Sequence, residues 1–117
     1  MTNTRGVSVR RATVADLDTV VALRLALLRE YREHPVYGRL RGDAEVVARQ
    51  VFAAQLESAH ETSFLAEADH AAIGMIRCVE SLASPLFVPD RYCSLSSAYV
   101  SPDHRRHGVL HAMLARA

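Results

Sequence analysis

Lysine is missing from this chain, and all 14 of its basic residues are arginine. The bias fits codon usage better than chemistry, although a guanidinium grips phosphate or carboxylate through a fork of N–H groups that an ammonium lacks. Charge of one sign is missing too: 13 acidic residues leave a net charge of +1. Nothing global therefore draws the chain to nucleic acid or to an anionic membrane. No apolar run approaches the roughly 20 residues that cross a bilayer. The opening "MTNTRGVSVR" has no apolar signal-peptide core, so a cytoplasmic protein is expected. Two cysteines, Cys78 and Cys93, are too few for a disulfide framework. They can fall on neighbouring strands, but buried free thiols in a reducing compartment are the expectation.

What is present is an ordinary globular composition, half apolar and 23% charged over 117 residues. That length suits one domain. "GVSVRRAT" is β-rich and predicts strand one. Thr13 with Asp16 has the spacing of a capping box. Leu17, Val20, Val21, Leu25, Leu28 and Tyr31 then recur at helical spacing, to about residue 33. Pro35, Gly38 and Gly42 break that pattern. Asp43 is placed to cap a second helix, residues 44–60, with a weak apolar face of Val47, Val51, Ala54 and Ser58. "TSFLAEADHAAIGMIRCVES" predicts a hairpin turning near Asp69 and His70. Pro85 and Pro89 make "LASPLFVPDR" a loop. "YCSLSSAYV" is strand four, and "VLHAMLARA" opens a third helix that carries no stop signal. The chain is expected to be the N-terminal part of a domain, completed by further sequence or by a partner.

Between strand four and the last helix lies "SPDHRRHG", which sets Arg105, Arg106 and His107 at the positive end of a helix dipole. One explanation is an anion. A strand leads through a tight turn to the free N–H groups of a helix start, and Gly108 lets a ligand approach the backbone. A metal site from His104, His107 and His111 is the second reading. Adjacent arginines oppose it, and no cysteine or further carboxylate is near apart from Asp103. A solvated basic turn is the third. RNA binding through "HRRHG" is set aside, because no aromatic platform accompanies the arginines.

In context, "AYVSPDHRRHGVLHAMLARA" resembles the acetyl-CoA-binding segment of the GCN5-related N-acetyltransferases. Tyr99, Val100, Pro102, Arg105 and Gly108 fall in register with that motif, and Met113 and Leu114 match its helical apolar pair. "VSVRRATVADLDTVVALRLALL" is similar to the family's first strand and helix, and "SFLAEADHAAIGMIRCVES" to its hairpin. The resemblance implies one α/β domain over residues 1–117, of acyl-CoA N-acyltransferase type. Its sheet would be mixed but mostly antiparallel, and its C-terminal strands would be missing. It implies acetyl-CoA as co-substrate, held by the backbone of Ala98, Tyr99 and Val100 along the pantetheine arm. The pyrophosphate would lie on the amides of Arg106, His107, Gly108, Val109, Leu110 and His111, with Arg105 at the motif's leading position. The partner would be an amine on a small molecule or peptide, with no metal, nucleic acid or membrane involved. The alternative is a non-catalytic module that binds a nucleotide or a protein, for which an exposed strand-four edge would favour a homodimer.

Two departures from the pattern stand out. Leu110 occupies a position where the family has Gly or Ala, so it either crowds the phosphates or points into the core. The family's later strand and helix, which wall the other side of the cofactor, have no counterpart here. No general base is assigned: strand four offers Ser94, Ser96 and Ser97 but no carboxylate. Glu80 is a remote candidate through water. His104 is expected to meet solvent or phosphate, and Tyr92 and Tyr99 are explained by packing.

Overall fold

Four strands and three helices order the chain, seen in a computed structural model that describes residues 6–36, 38–82, 84–86, 88 and 91–116. β1 (Val7–Arg11) leads through a 3-10 turn (Val14–Asp16) into α1 (Leu17–Arg29) and then α2 (Ala44–Glu57). β2 (Glu61–Ala68), β3 (Ala71–Leu82) and β4 (Arg91–Val100) follow, and a second 3-10 turn (Pro102–His104) precedes α3 (Val109–Arg116). The strands lie in the order β1-β2-β3-β4, and every described pairing is antiparallel.

The β2–β3 hairpin turns on Asp69 and His70, both at positive φ (51° and 63°). That is the left-handed pair a two-residue hairpin needs to match strand twist. Leu65 and Met75 face α1 and α2, where they join Val20, Val21, Leu25, Ala48 and Phe52. Phe64, Ala66 and Ile76 face the other way, onto Val109 and Met113 of α3. The sheet is thus covered on both faces, which explains the continuous apolar run in β2.

Several expectations are corrected. α1 ends at Arg29, because Glu30, Tyr31 and Arg32 donate to carbonyls three residues back and tighten the chain into turns. α2 ends at Glu57, and its buried positions are Ala48 and Phe52. Val51, assigned to the apolar face, is exposed. Asp43 stands at the start of α2, but its carboxylate turns back to Arg41 at 2.8 Å and caps nothing. Asp16 accepts the Thr13 N–H at 2.8 Å, as a capping box requires, and closes the 3-10 turn ahead of α1. Its bonds to Arg10 hold its carboxyl down at about 2. β3 and β4 extend to Leu82 and from Arg91, so the expected loop is shorter; positions 83, 87, 89 and 90 of it lie outside the described residues.

The cysteines are not buried free thiols. Antiparallel pairing sets Cys78 beside Leu95 and Cys93 beside Glu80. The two Cα atoms are 6.0 Å apart and the sulfurs are joined in a disulfide. Cys93 is exposed and Cys78 half-buried. The apolar burial that would have kept them as thiols is absent, because this end of β4 has no helix over it.

Gly74 sets how closely β3 and β4 approach at this point. A Cβ built on it would lie 2.8 Å from the Tyr99 carbonyl and 3.4 Å from Cε of Met113. Gly74→Ala is expected to cost about 1–3 kcal/mol in urea unfolding through overpacking. Gly42→Ala, where nothing lies within 4 Å, serves as the near-neutral control. The disulfide closes a sequence separation of 15. A loop of that size is worth about 3 kcal/mol, so reductant should lower the unfolding midpoint and Cys93→Ser should match the reduced protein. Equal midpoints with and without reductant, together with two freely labelled thiols, would contradict the bond.

Candidate functional site

β4 is irregular where it matters. Met75 pairs with Tyr99 but Arg77 pairs with Ser96, so Ser97 and Ala98 together oppose the single residue Ile76. This is a β-bulge, and Ser97 takes φ 54° to accommodate it. A bulge leaves part of the ladder unpaired and re-aims the residues beyond it. Tyr99 turns inward to the α1 side and is buried, and its carbonyl meets Gly74 across the strand pair.

The chain then leaves the sheet. Ser101 N–H donates to Ile73 O at 2.7 Å, and Pro102–His104 make one 3-10 turn with His104 Nδ1 held 3.0 Å from Ser101 Oγ. Arg106 (φ 65°) and Gly108 (φ 80°) both adopt the left-handed conformation. These two reversals wrap the backbone around the head of α3. The ladder of α3 begins with Ala112 N–H donating to Gly108 O at 3.0 Å. The N–H groups of Val109, Leu110 and His111 precede that bond, so helix geometry leaves them for an outside acceptor.

A cavity of about 620 Å³ opens here. On one side it is lined by Ala98, Tyr99 and Val100 of β4, and on the other by the head of α3 with Arg106, Gly108, Val109, Leu110 and His111. His104 and Arg105 close one side. The near wall is the end of α1: Leu27, Glu30 and Tyr31. Nine of the ten residues expected to hold acetyl-CoA therefore share one cavity. His107 is exposed and is not part of the lining. Leu110 is half-exposed on the wall and does not point into the core.

The arginines divide. Arg105 is engaged on two of its three nitrogens: Nε donates to Val100 O at 2.7 Å, one terminal nitrogen reaches both Glu30 oxygens at 2.9 and 2.7 Å, and the guanidinium lies 5.6 Å from the Tyr99 ring centre. Glu30 raises its pKa further above the ordinary arginine value. Arg106 has no carboxylate partner among the described residues. Half of the basic turn is thus neutralised internally, and half is available to a ligand.

The other candidates disperse. Glu80 pairs with Arg91 at 2.7 Å and lies outside the cavity lining. Tyr92 is exposed. The three histidines do not converge, and among the described residues no three His, Cys, Asp or Glu side chains cluster to hold a metal. No helix of the described residues is long and apolar enough to cross a membrane. Sequence reasoning missed the α1 wall and the bulge. The bulge exists only as a register between strands, and Glu30 meets Arg105 across 75 positions, so neither leaves a local signal.

The sequence profile of the acetyltransferase (GNAT) family matches residues 21–117. No curated protein sequence matches the chain. Solved structures share the fold. A predicted acetyltransferase with acetyl-CoA from Clostridium acetobutylicum superposes with a TM-score of 0.75 at 19% identity, over 94% of this chain and 70% of that one. A GCN5-related N-acetyltransferase from Ralstonia eutropha gives 0.70 at 24%, over 95% and 72%. An aminoglycoside 6'-N-acetyltransferase from Acinetobacter baumannii gives 0.72 at 21%, over 95% and 68%. With the profile match over most of the chain, and a bulged strand feeding a helix head across one cavity, this protein belongs to the GNAT acetyltransferase family.

Proposed function

We propose that the cavity between β4 and the head of α3 takes acetyl-CoA, and that the chain transfers the acetyl group to an amine of a small molecule or peptide. The carrying observation is that strand backbone and helix head open into one space. A pantetheine arm is a chain of amides. It pairs with the backbone of Ala98, Tyr99 and Val100 as an added strand would. The pyrophosphate goes to the amides of Arg106, Gly108, Val109, Leu110 and His111, at the positive end of α3, and His107, outside the lining, is left out of the site. Arg106 adds a charge-assisted contact. This placement resolves the opposition between the basic turn and the helix dipole: Glu30 offsets Arg105, and the ligand offsets Arg106. The solved relatives support a CoA donor, one by its acetyl-CoA and another, an aminoglycoside N-acetyltransferase, by its CoA.

The chemistry asked of the chain is small. A neutral amine attacks the thioester carbon, the new N–C bond forms, and the C–S bond breaks. One ammonium proton leaves to solvent or a base before attack, and a second ends on the sulfur. The bulge backbone next to Ala98 can polarise the carbonyl, because a bulge frees an N–H from the ladder. Holding both reactants together supplies the rest.

Calorimetric titration of the chain with acetyl-CoA tests this. Saturable binding is expected, with Arg106→Ala weakening it by about tenfold, the size of one lost charge-assisted hydrogen bond. A folded protein that gives no heat would remove the donor assignment.

A further inference from the structure

Glu30 and Arg105 each stand at the wrong end of a helix. Glu30 follows the last turn of α1, where the dipole is negative and a carboxylate is disfavoured. Arg105 precedes the head of α3, where the dipole is positive and a cation is disfavoured. Each is next to the other, with both Glu30 oxygens within 2.9 Å of the same guanidinium nitrogen. The pair cancels two local penalties that neither residue could relieve alone.

What this arrangement holds in place is the β4 side of the cavity. Nε of the same guanidinium donates to Val100 O, the last carbonyl of β4, and the guanidinium lies over Tyr99. Arg105 therefore has no N–H direction committed to the helix head, and its contacts run from α1 to the strand. We infer that Arg105 is a clamp rather than a phosphate ligand, and that Glu30 is the positioning residue that sets it. The clamp fixes Tyr99 and Val100, and with them the backbone that would pair with the pantetheine arm. This rests on the donor reading above. It assigns Arg105 a different task within that site and adds a residue from a helix 75 positions away.

The two roles predict opposite signs. A phosphate ligand partly occupied by Glu30 would be released by Glu30→Gln, and acetyl-CoA would bind more tightly. A clamp would be loosened by the same change, and binding would weaken. The experiment is a double-mutant cycle of Glu30→Gln and Arg105→Ala, with acetyl-CoA affinity read by calorimetry at about 0.15 M salt, where long-range charge effects are screened beyond ~8 Å. We expect each single variant to bind about three- to tenfold more weakly, and the double variant to be no weaker than the weaker single, since residues in one network do not add. The pair is about 40% exposed, 42% and 41% for the two side chains. Thermal midpoints should therefore hardly move, which separates a loosened site from a loosened fold. Unchanged or tighter binding by Glu30→Gln, or effects that simply add in the double variant, would overturn the clamp. A wild-type chain that binds no acetyl-CoA would instead overturn the donor reading, and the clamp's role with it.

Discussion

The close contact of α3 with the sheet through Gly74 is the constraint on which the rest of the site depends. Met113 is fully buried, and its methyl end packs 3.4 Å from where a Gly74 Cβ would stand. On the opposite strand the Tyr99 carbonyl fills the same gap. A side chain at this strand position would push β4 sideways, and the cavity lies where β4 meets α3. Val109 and Met113, one turn apart, anchor the helix against Phe64 and Ile76. The head of α3 is therefore held rigidly enough for its free N–H groups to keep a fixed direction, which an anion site requires.

Much of this was legible because local chemistry decided it. Asp69 and His70 tolerate left-handed backbone, and apolar runs on either side leave no other turn for them to make. "SPDHRRHG" contains a proline suited to a first turn and a glycine suited to the reversal before a helix, so the strand-to-helix passage could be placed to within a residue. The apolar face of α2 could not. Val51 and Phe52 are both apolar, but Phe52 is the residue whose ring lies 4.0 Å from the Arg24 guanidinium and packs in the core with α1. Choosing between two faces one residue apart needs the partner helix.

The cysteines and Glu30 show the same limit at longer range. Cys78 and Cys93 could be assigned to neighbouring strands from spacing, but their meeting required the offset of β4 against β3. That offset comes from the bulge at Ser97, a residue whose type announces nothing unusual. In the sequence Glu30 is one of several charges of both signs between residues 29 and 43. It became distinct only when α1 stopped short and brought it to the turn before α3.

Arg24 carries a consequence for how the whole α1 wall is aimed. Its guanidinium lies over Phe52, 4.0 Å from the ring centre, while one terminal nitrogen donates to Gln55 at 3.0 Å, so α1 and α2 are keyed to each other by one planar group with two contacts of different kind. Burial and the charge of Arg77 pull this group down to about 10, and it stays a cation at neutral pH. A purely apolar seam between two helices permits sliding, because one methyl group can replace another. A cation held over a ring and hydrogen-bonded to an amide does not. Sliding α1 by one residue would rotate its surface by about 100°. Arg24 thus acts as an index pin for rotation, and the carboxylate at the end of the helix inherits its aim from a contact almost two turns back.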